Sequence, residues 1–460
     1  MNAESNKYEY LSYPLPEDVL RAKYAGDTDA LLKLIKARTD SPLTHPLLKK
    51  RLEYEGEICA LRERRYKLTR AQTLEKLRER VPDFKDEELD KYEREGMCEY
   101  VYLRGEKRYL TSCPGTLIKY DPALAKREIN AKNNPAEPDL DEFICAIKSK
   151  GEFAMRYEIE STLKLDDECF IPGETYTVHI PVPAKSAQQS ADKIRICADA
   201  DALVSAPDSC QRCVCYVRKL NKNAPFGVSF TYESRLKYVN PLKDEAHIVY
   251  PGENAPSDDD LSEQLPHIRF TPYIKRLAQD IKGSETRPLY IAKRIYDYIT
   301  TNVRYSFMPP YRLIENQAEY AAVNMKGDCG IQAILFITLC RALGVPARWQ
   351  SGLTVDRESC GEHDWAQFYT SEFGWLFADP SYGGGAHRRG NEERREYYFG
   401  NLDPYRMVAN RRYMTDAGAP KRFLRYDPCD SQDGEIECGA RGFDISEFGK
   451  TDFTKVFEEI

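Results

Sequence analysis

The sequence predicts an α+β protein with several domains. Its 460 residues exceed what one hydrophobic core usually organises. Apolar residues recur at helical spacing in the first part of the chain, alternate as in strands in the middle, and return to helical spacing after Pro272. With 42% hydrophobic and 31% charged residues, the composition is that of a globular chain, not of a disordered or fibrous one.

The region from residue 1 to 145 is predicted to be helical. Apolar residues lie three and four positions apart in the runs 29–35 and 74–81, and Lys, Arg and Glu fill the positions between them. Because the charges alternate in sign, they indicate solvated helix surfaces and no particular binding site. We expect this region to be a scaffold, a cover for a groove, or a surface for dimers or partners.

Residues 150–265 are predicted to form a β-rich, sandwich-like domain. The period changes after the Asn133–Pro138 segment, and short alternating runs rich in Tyr, Val, Ile and Thr follow at 155–160, 175–180 and 228–232. Pro172-Gly173 supplies one of the turn signals between them. The runs therefore indicate antiparallel strands.

Residues 270–415 combine helices with strands and form the predicted core. A helix after the segment 326–330 is apolar on most of its faces, which predicts a central, buried position. Strand patterns follow at 365–369 and 375–378. Residues 416–460 are predicted to add a strand and a loop that close on this core.

Three residues of this core have the types and positions of a thiol-dependent catalytic site. Cys329 lies at the start of the buried helix, where free N–H groups and the helix dipole are expected to stabilise a thiolate and an oxyanion. His363 opens a predicted strand, and Asp379 ends the next one. Antiparallel pairing of these strands would bring the carboxylate beside the imidazole and orient it as a base. His387, the other downstream histidine, lies among glycines and arginines.

Four segments of this region resemble the transglutaminase-like superfamily of papain-fold cysteine enzymes, including bacterial proteins with such a domain. The segments are GDCGIQA at 327–333, RALGVPAR at 341–348, HDWAQFY at 363–369 and GWLFADP at 374–380. The resemblance implies a central helix packed on an antiparallel sheet, with Cys329 as nucleophile, His363 as general base and acid, and Asp379 as the orienting carboxylate. Gln367 departs from the family, where many relatives carry Glu. The second oxyanion donor stays open among Tyr305, Tyr311 and Asn324.

The resemblance implies acyl transfer from an amide through an acyl-enzyme, without a cofactor. Hydrolysis of peptide-like substrates by a protease or amidase is favoured, because water is always present and no sequence feature indicates a second site for an amine. Cross-linking of protein glutamines is one alternative, and a non-catalytic binding or scaffold protein that retains the fold is another. Trp365, beside the predicted base, is a candidate substrate wall or a packing residue.

Charge and cysteine usage limit the partners and the compartment. A net charge of −7 argues against nucleic acid and anionic membranes as partners. The start of the chain lacks a signal-peptide pattern, so we expect a cytoplasmic protein in which the 14 cysteines are mostly reduced. Cys210-x-x-Cys213-x-Cys215 and the acidic run 257–260 are weak zinc and calcium patterns. The sequence indicates no oligomeric state.

Overall fold

The computed structural model describes residues 8–129, 140–357, 360–424, 429–439 and 441–460. The chain divides into two units, Met1–Pro135 with Tyr305–Glu315, and Ala136–Arg304 with Asn316–Ile460. Helices and antiparallel sheets occur together, which confirms the predicted α+β class. Within the described ranges, no helix has the length and apolar character needed to span a bilayer. The four domain ranges drawn from the sequence stay predictions.

The first unit is mainly helical, as the sequence predicts. Its elements are α1 (Glu17–Ala25), α2 (Thr28–Thr39), α3 (Pro46–Arg65), α4 (Arg70–Arg80), α5 (Asp86–Arg94), β1 (Tyr100–Leu103), β2 (Glu106–Tyr109), α6 (Cys113–Tyr120) and α7 (Pro122–Ala125). The Asp27 side chain caps α2 by accepting the Ala30 N–H at 3.0 Å. The sequence analysis missed the hairpin β1–β2, whose turn places Arg104 and Gly105 at positive φ.

The second unit begins with a helix and the strands of the β-rich region. These elements are α8 (Leu140–Lys150), β3 (Glu152–Leu165), β4 (Thr175–Pro181), β5 (Arg195–Cys197), β6 (Leu203–Val204), β7 (Cys213–Lys219) and β8 (Phe226–Lys237). The buried residues of β3 and β8 largely alternate with more exposed ones, because one face of their sheet lies against the protein interior.

The chain then forms the region that holds the candidate site. Its elements are α9 (Pro272–Lys282), α10 (Pro288–Asn302), β9 (Arg304–Tyr305), α11 (Gln317–Asn324), β10 (Lys326–Gly327), α12 (Cys329–Ala342), β11 (Ala347–Val355), β12 (Cys360–Thr370), β13 (Gly374–Ala378), α13 (Pro380–Arg388), α14 (Glu392–Tyr397), β14 (Phe399–Gly400) and β15 (Arg406–Asn410). The last strands are β16 (Glu435–Cys438), β17 (Arg441–Gly442) and β18 (Phe448–Glu459).

The C-terminal strands complete two antiparallel sheets of the β-rich region. Strand order is β17-β16-β4-β7-β6 in one sheet and β18-β3-β8-β5 in the other, and Tyr216 of β7 packs against Phe226 of β8. The sequence analysis placed the strand of the 416–460 segment on the core, but β16 and β18 pair with β4 and β3. The loop before β16 does contact the core, since Trp349 Nε1 donates to Asp430 Oδ2 at 3.1 Å.

The core is an antiparallel sheet of order β14-β13-β12-β11-β15, against which α12 packs. The helix is buried along its length because Ile, Leu and Phe occupy most of its faces. Phe336 of α12 meets Phe368 of β12 at a ring-centroid distance of 5.9 Å. This arrangement is the central helix on an antiparallel sheet that the sequence predicts.

Candidate active site

Cys329 lies at the first position of α12, as predicted. The Asp328 side chain caps the helix by accepting the Ile331 N–H at 3.1 Å. The first N–H groups of a helix have no partner within the helix, so those of Cys329 and Gly330 are suited to an oxyanion. The Cys329 sulfur therefore lies beside backbone N–H groups that can donate to an oxyanion.

His363 and Asp379 meet as the sequence predicts. Strands β12 and β13 form a hairpin in register Thr370↔Gly374 and Ala366↔Ala378, which carries Asp379 to the end of β13 beside β12. His363 Nε2 lies 2.8 Å from Asp379 Oδ2, and both side chains are buried. With Nε2–H donating to the carboxylate, Nδ1 is the ring nitrogen that can accept a proton.

Asp379 is fixed through both of its oxygens. Oδ1 accepts from Ser381 Oγ and from the Tyr382 N–H, each at 2.9 Å, so the carboxylate also caps α13. Oδ2 accepts from Arg406 Nη1 at 2.9 Å as well as from His363. Burial opposes ionisation of Asp379, but His363 and Arg406 together hold its pKa well below the usual range.

Arg406 is a site residue that the sequence analysis missed. It begins β15, is fully buried, and binds Asp403 through Nε at 3.0 Å and Nη2 at 2.6 Å while Nη1 reaches Asp379. Two carboxylates and one guanidinium leave this cluster with a net charge of −1. Protonation of His363 would bring the cluster to neutrality, so the two carboxylates partly oppose the effect of burial, which on balance lowers the pKa of His363.

A close strand approach brings Arg406 to this position. Gly352 of β11 lies at the irregularity where β11 pairs with β15, and a Cβ atom built there would lie 1.9 Å from the Met407 carbonyl oxygen. Only glycine permits this approach. The sequence signal that could have located Arg406 is a single arginine beside the apolar run Met407–Ala409, which is too weak to assign a role.

Cys329 and His363 lie in one site, but their side chains are not hydrogen-bonded to each other. Cys329 Sγ donates to Asp364 Oδ2 at 3.4 Å. Among the residues that the structure describes, Asp364 is the hydrogen-bond partner of this sulfur and His363 is not. The carboxylate of Asp364 is itself held by Gln432, whose Nε2 donates to Oδ1 at 2.7 Å.

The two titrating groups are neutral in this arrangement. Burial, followed by Asp364 and Asp328, raises the pKa of Cys329 well above the value of an ordinary thiol. Burial also lowers the pKa of His363, against the opposing effect of Asp379. The helix start was expected to lower the thiol pKa, but burial and the carboxylates of Asp364 and Asp328 raise it.

Trp365 packs inside the protein and does not form a substrate wall in this structure. Its side chain is fully buried, and its Nε1–H donates to Gln350 Oε1 at 2.9 Å. The indole stacks on His363 with a ring-centroid distance of 5.9 Å, and Tyr382 contacts the imidazole ring at 4.8 Å. Of the two roles that the sequence left open for Trp365, substrate wall and packing residue, this burial favours packing against the imidazole.

The remaining sequence candidates have other surroundings or belong to the other unit. His387 forms an exposed pair with Glu392 at 2.6 Å, and the Asn324 side chain is exposed and donates to the Tyr320 carbonyl at 2.8 Å. Tyr305 and Tyr311 belong to the first unit. Gln367 is buried and accepts from Arg348 Nε at 2.8 Å.

The weak metal patterns have ordinary structural roles where they are described. Cys213 and Cys215 are buried in β7, and Asp260 caps a short turn while pairing with Arg412. No group of three or more His, Cys, Asp or Glu residues is placed to hold a metal ion in the described part of the chain.

Comparison with known families identifies the domain that contains this site. Residues 275–380 match the sequence model of the Transglutaminase-like superfamily, and this span includes Cys329, His363 and Asp379. Residues 275–380 thus match a transglutaminase-like domain, as the resemblance implied. The match supports cysteine-based catalysis at the level of the family.

The solved structures to which parts of this chain are similar include three from different organisms. A "Putative Cysteine Protease" from Cytophaga hutchinsonii is 15% identical, with 66% of this chain and 93% of that chain covered and a TM-score of 0.42. The periplasmic domain of TgpA from Pseudomonas aeruginosa is 14% identical, with 58% and 100% covered and a TM-score of 0.28. A "putative protease" from Parabacteroides distasonis is 11% identical, with 51% and 60% covered and a TM-score of 0.20. A comparison with curated proteins found no match.

Proposed function

We propose that this protein hydrolyses amide bonds of peptide-like substrates through an acyl-enzyme on Cys329. The observation that carries the proposal is the buried hydrogen bond between His363 and Asp379, held on a rigid hairpin in the same domain as the helix start that bears the thiol. A nucleophile, a base and a group that orients the base are the parts that covalent acyl transfer needs.

The proposed reaction proceeds in two halves. The thiol proton passes to His363 Nδ1, and the thiolate attacks the substrate carbonyl carbon while N–H groups at the start of α12 receive the oxyanion. The C–N bond then breaks, and the imidazolium gives its proton to the leaving amine. Water attacks the thioester with His363 as base, which releases the carboxylic acid and restores the thiol. The net charge of −1 in the cluster behind His363 offsets part of the effect of burial on the imidazolium in both halves.

Water is the proposed acyl acceptor. An amine in its place would give a cross-linking acyltransferase, and that reaction needs a second binding site and the exclusion of water. The proposed substrates are peptides or proteins, and nucleic acid and membranes are not proposed as partners of a chain with a net charge of −7. This chemistry uses no cofactor, and the proposed location is the cytoplasm.

One observation favours a second candidate, a non-catalytic binding protein that retains the fold. Cys329 Sγ is hydrogen-bonded to Asp364 and not to His363, and the pKa of the thiol is raised. A domain that had lost catalysis would tolerate such a contact. The two candidates differ in whether removing the sulfur abolishes a chemical reaction.

Turnover of a peptide library in H₂¹⁸O tests the proposal. We expect the wild-type protein to cleave a subset of peptides and to place one ¹⁸O atom in each new carboxylate, and we expect Cys329→Ala to abolish cleavage. Cys145→Ala is the matched control because Cys145 is exposed and lies outside the core sheet. Cleavage by Cys329→Ala would refute the nucleophile; new amides formed with added amines would favour cross-linking.

The two downstream histidines provide a second matched pair. We expect His363→Ala to lower kcat/KM by about 10²- to 10⁴-fold, the usual contribution of a positioned acid-base group. His387→Ala should leave kcat/KM unchanged, because His387 pairs with Glu392 at the surface. Equal losses in both variants would contradict the assignment of the base.

A further inference from the structure

Asp364 occupies an unusual place relative to the nucleophile. It follows His363 directly on β12, its side chain is buried, and its Oδ2 accepts the hydrogen bond from Cys329 Sγ at 3.4 Å. The base and the hydrogen-bond partner of the resting thiol are therefore adjacent residues of one strand.

The Asp364 carboxylate is oriented from its other side by the C-terminal segment. Gln432 Nε2 donates to Asp364 Oδ1 at 2.7 Å and to the His363 carbonyl at 2.9 Å. The Gln432 carbonyl in turn accepts from Lys450 Nζ at 2.9 Å, which ties this loop to β18. Asp364 is thus fixed by two hydrogen bonds: Oδ1 accepts from the Gln432 amide, and Oδ2 accepts from the Cys329 thiol.

The proton path of the proposed reaction requires this contact to break. His363 uses Nε2 for Asp379, so Nδ1 must receive the thiol proton. A thiol has a single hydrogen and cannot donate to Asp364 and to Nδ1 at once. The sulfur must therefore leave Asp364 before it can donate to Nδ1.

We propose that Asp364 is a positioning residue that holds the resting Cys329 thiol neutral and away from His363. The proposal rests on the proposed function, since it assumes that His363 is the base. A neutral thiol resists alkylation and oxidation, so the contact protects the nucleophile until the sulfur turns to the imidazole. The charged groups that act on this sulfur are Asp364 from β12 and Asp328 from the residue before α12.

The test is the pH dependence of iodoacetamide labelling at Cys329, followed by peptide mass spectrometry in the full-length protein. Asp364→Asn keeps the side-chain size but removes the charge, and Asp364→Ala removes the contact. We expect the labelling midpoint to fall by at least about one pH unit in both variants, which is a rise of about tenfold in rate at pH 7. A purely structural role for Asp364 would not move this midpoint.

Asp328→Asn is the matched control. Asn caps a helix as well as Asp does, so this variant removes a nearby charge without removing the hydrogen-bond partner of the sulfur. It should move the midpoint less than Asp364→Asn does. Equal midpoints in wild-type, Asp328→Asn and Asp364→Asn proteins would overturn the proposal; if Asp364→Ala does not fold, the Asn variant alone decides.

A double variant tests whether the Cys329 thiol interacts with His363 once its contact with Asp364 is removed. Adding His363→Ala to Asp364→Asn should remove most of the gain in labelling, because the imidazole then no longer stabilises the thiolate. An undiminished gain would overturn the part of the proposal that involves His363. Failure of the proposed function is a separate result: it would appear as unchanged cleavage by Cys329→Ala, whatever the labelling midpoints are.

Discussion

Arg406 and His363 bind the same oxygen of Asp379. Arg406 Nη1 lies 2.9 Å and His363 Nε2 lies 2.8 Å from Asp379 Oδ2, and all three side chains are buried. The guanidinium therefore balances the carboxylate that orients the base. It also keeps Asp379 ionised at a depth where burial alone would favour the protonated acid.

Arg406→Met should destabilise the protein by about 3–5 kcal/mol, because it leaves the buried carboxylates of Asp379 and Asp403 without their cation. The free energy of unfolding in urea measures this loss. Arg276→Met is the control, since the exposed pair of Arg276 with Asp280 contributes only about 0.5 kcal/mol. Equal losses in the two variants would contradict the role assigned to Arg406.

The stability of the protein should fall as the pH falls below about 6.5, the pKa of an unperturbed histidine. Burial lowers the folded-state pKa of His363, so the unfolded chain binds its proton first. The stabilising contribution is present above the unfolded pKa and is lost as the pH falls through the folded one. Urea titrations from pH 8 to pH 5 give the free energy of unfolding at each pH. Its slope against pH should be smaller for His363→Gln than for the wild-type protein; an unchanged slope would mean that the pKa of His363 is the same in the folded and unfolded chains.

Trp365→Phe should lower stability and leave KM unchanged. The substitution removes the indole donor from Gln350 Oε1, which still accepts from Gln188 Nε2 at 3.0 Å, so the expected loss is that of one buried hydrogen bond, about 0.5–1.5 kcal/mol. Because the indole is fully buried, the substrate has no direct contact with it. Unfolding curves measure the stability, and steady-state kinetics on a cleaved peptide measure KM. A raised KM with unchanged stability would indicate that Trp365 contacts the substrate.

Gly352→Ala should separate β15 from β11 and weaken the site. The added Cβ would lie 1.9 Å from the Met407 carbonyl oxygen, so the strands must move apart at a typical cost of about 1–3 kcal/mol. Since Arg406 precedes Met407 on β15, activity should fall together with stability. Gly449→Ala, where a Cβ meets open space, is the control and should change neither quantity.

Much of the site follows from local sequence signals. Asp328 and Gly330 flank Cys329 at a helix start, and the hairpin between Thr370 and Gly374 has a length that places Asp379 beside His363. The family resemblance covers the same segments. Both signals concern residues close in the chain, where spacing and capping rules apply directly.

Contacts between residues far apart in the chain could not be predicted from local sequence signals. Arg406 reaches Asp379 across 27 residues, and Gln432 reaches Asp364 across 68. The sheet that a strand of residues 416–460 joins could not be predicted either, because an alternating pattern identifies a strand but not its neighbour. The direction of the Cys329 pKa shift was missed for a related reason: the helix dipole can be read from the sequence, whereas burial and Asp364 cannot.

The sequence by itself determined the α+β class, the buried helix that bears Cys329, and the pairing of His363 with Asp379, because periodicity, helix capping and a short hairpin fix these locally. The tertiary structure decided which charges surround them. It placed Arg406 behind the base, Asp364 on the thiol and Trp365 in the interior, since electrostatic and packing energies depend on distances between side chains that only the folded chain brings together.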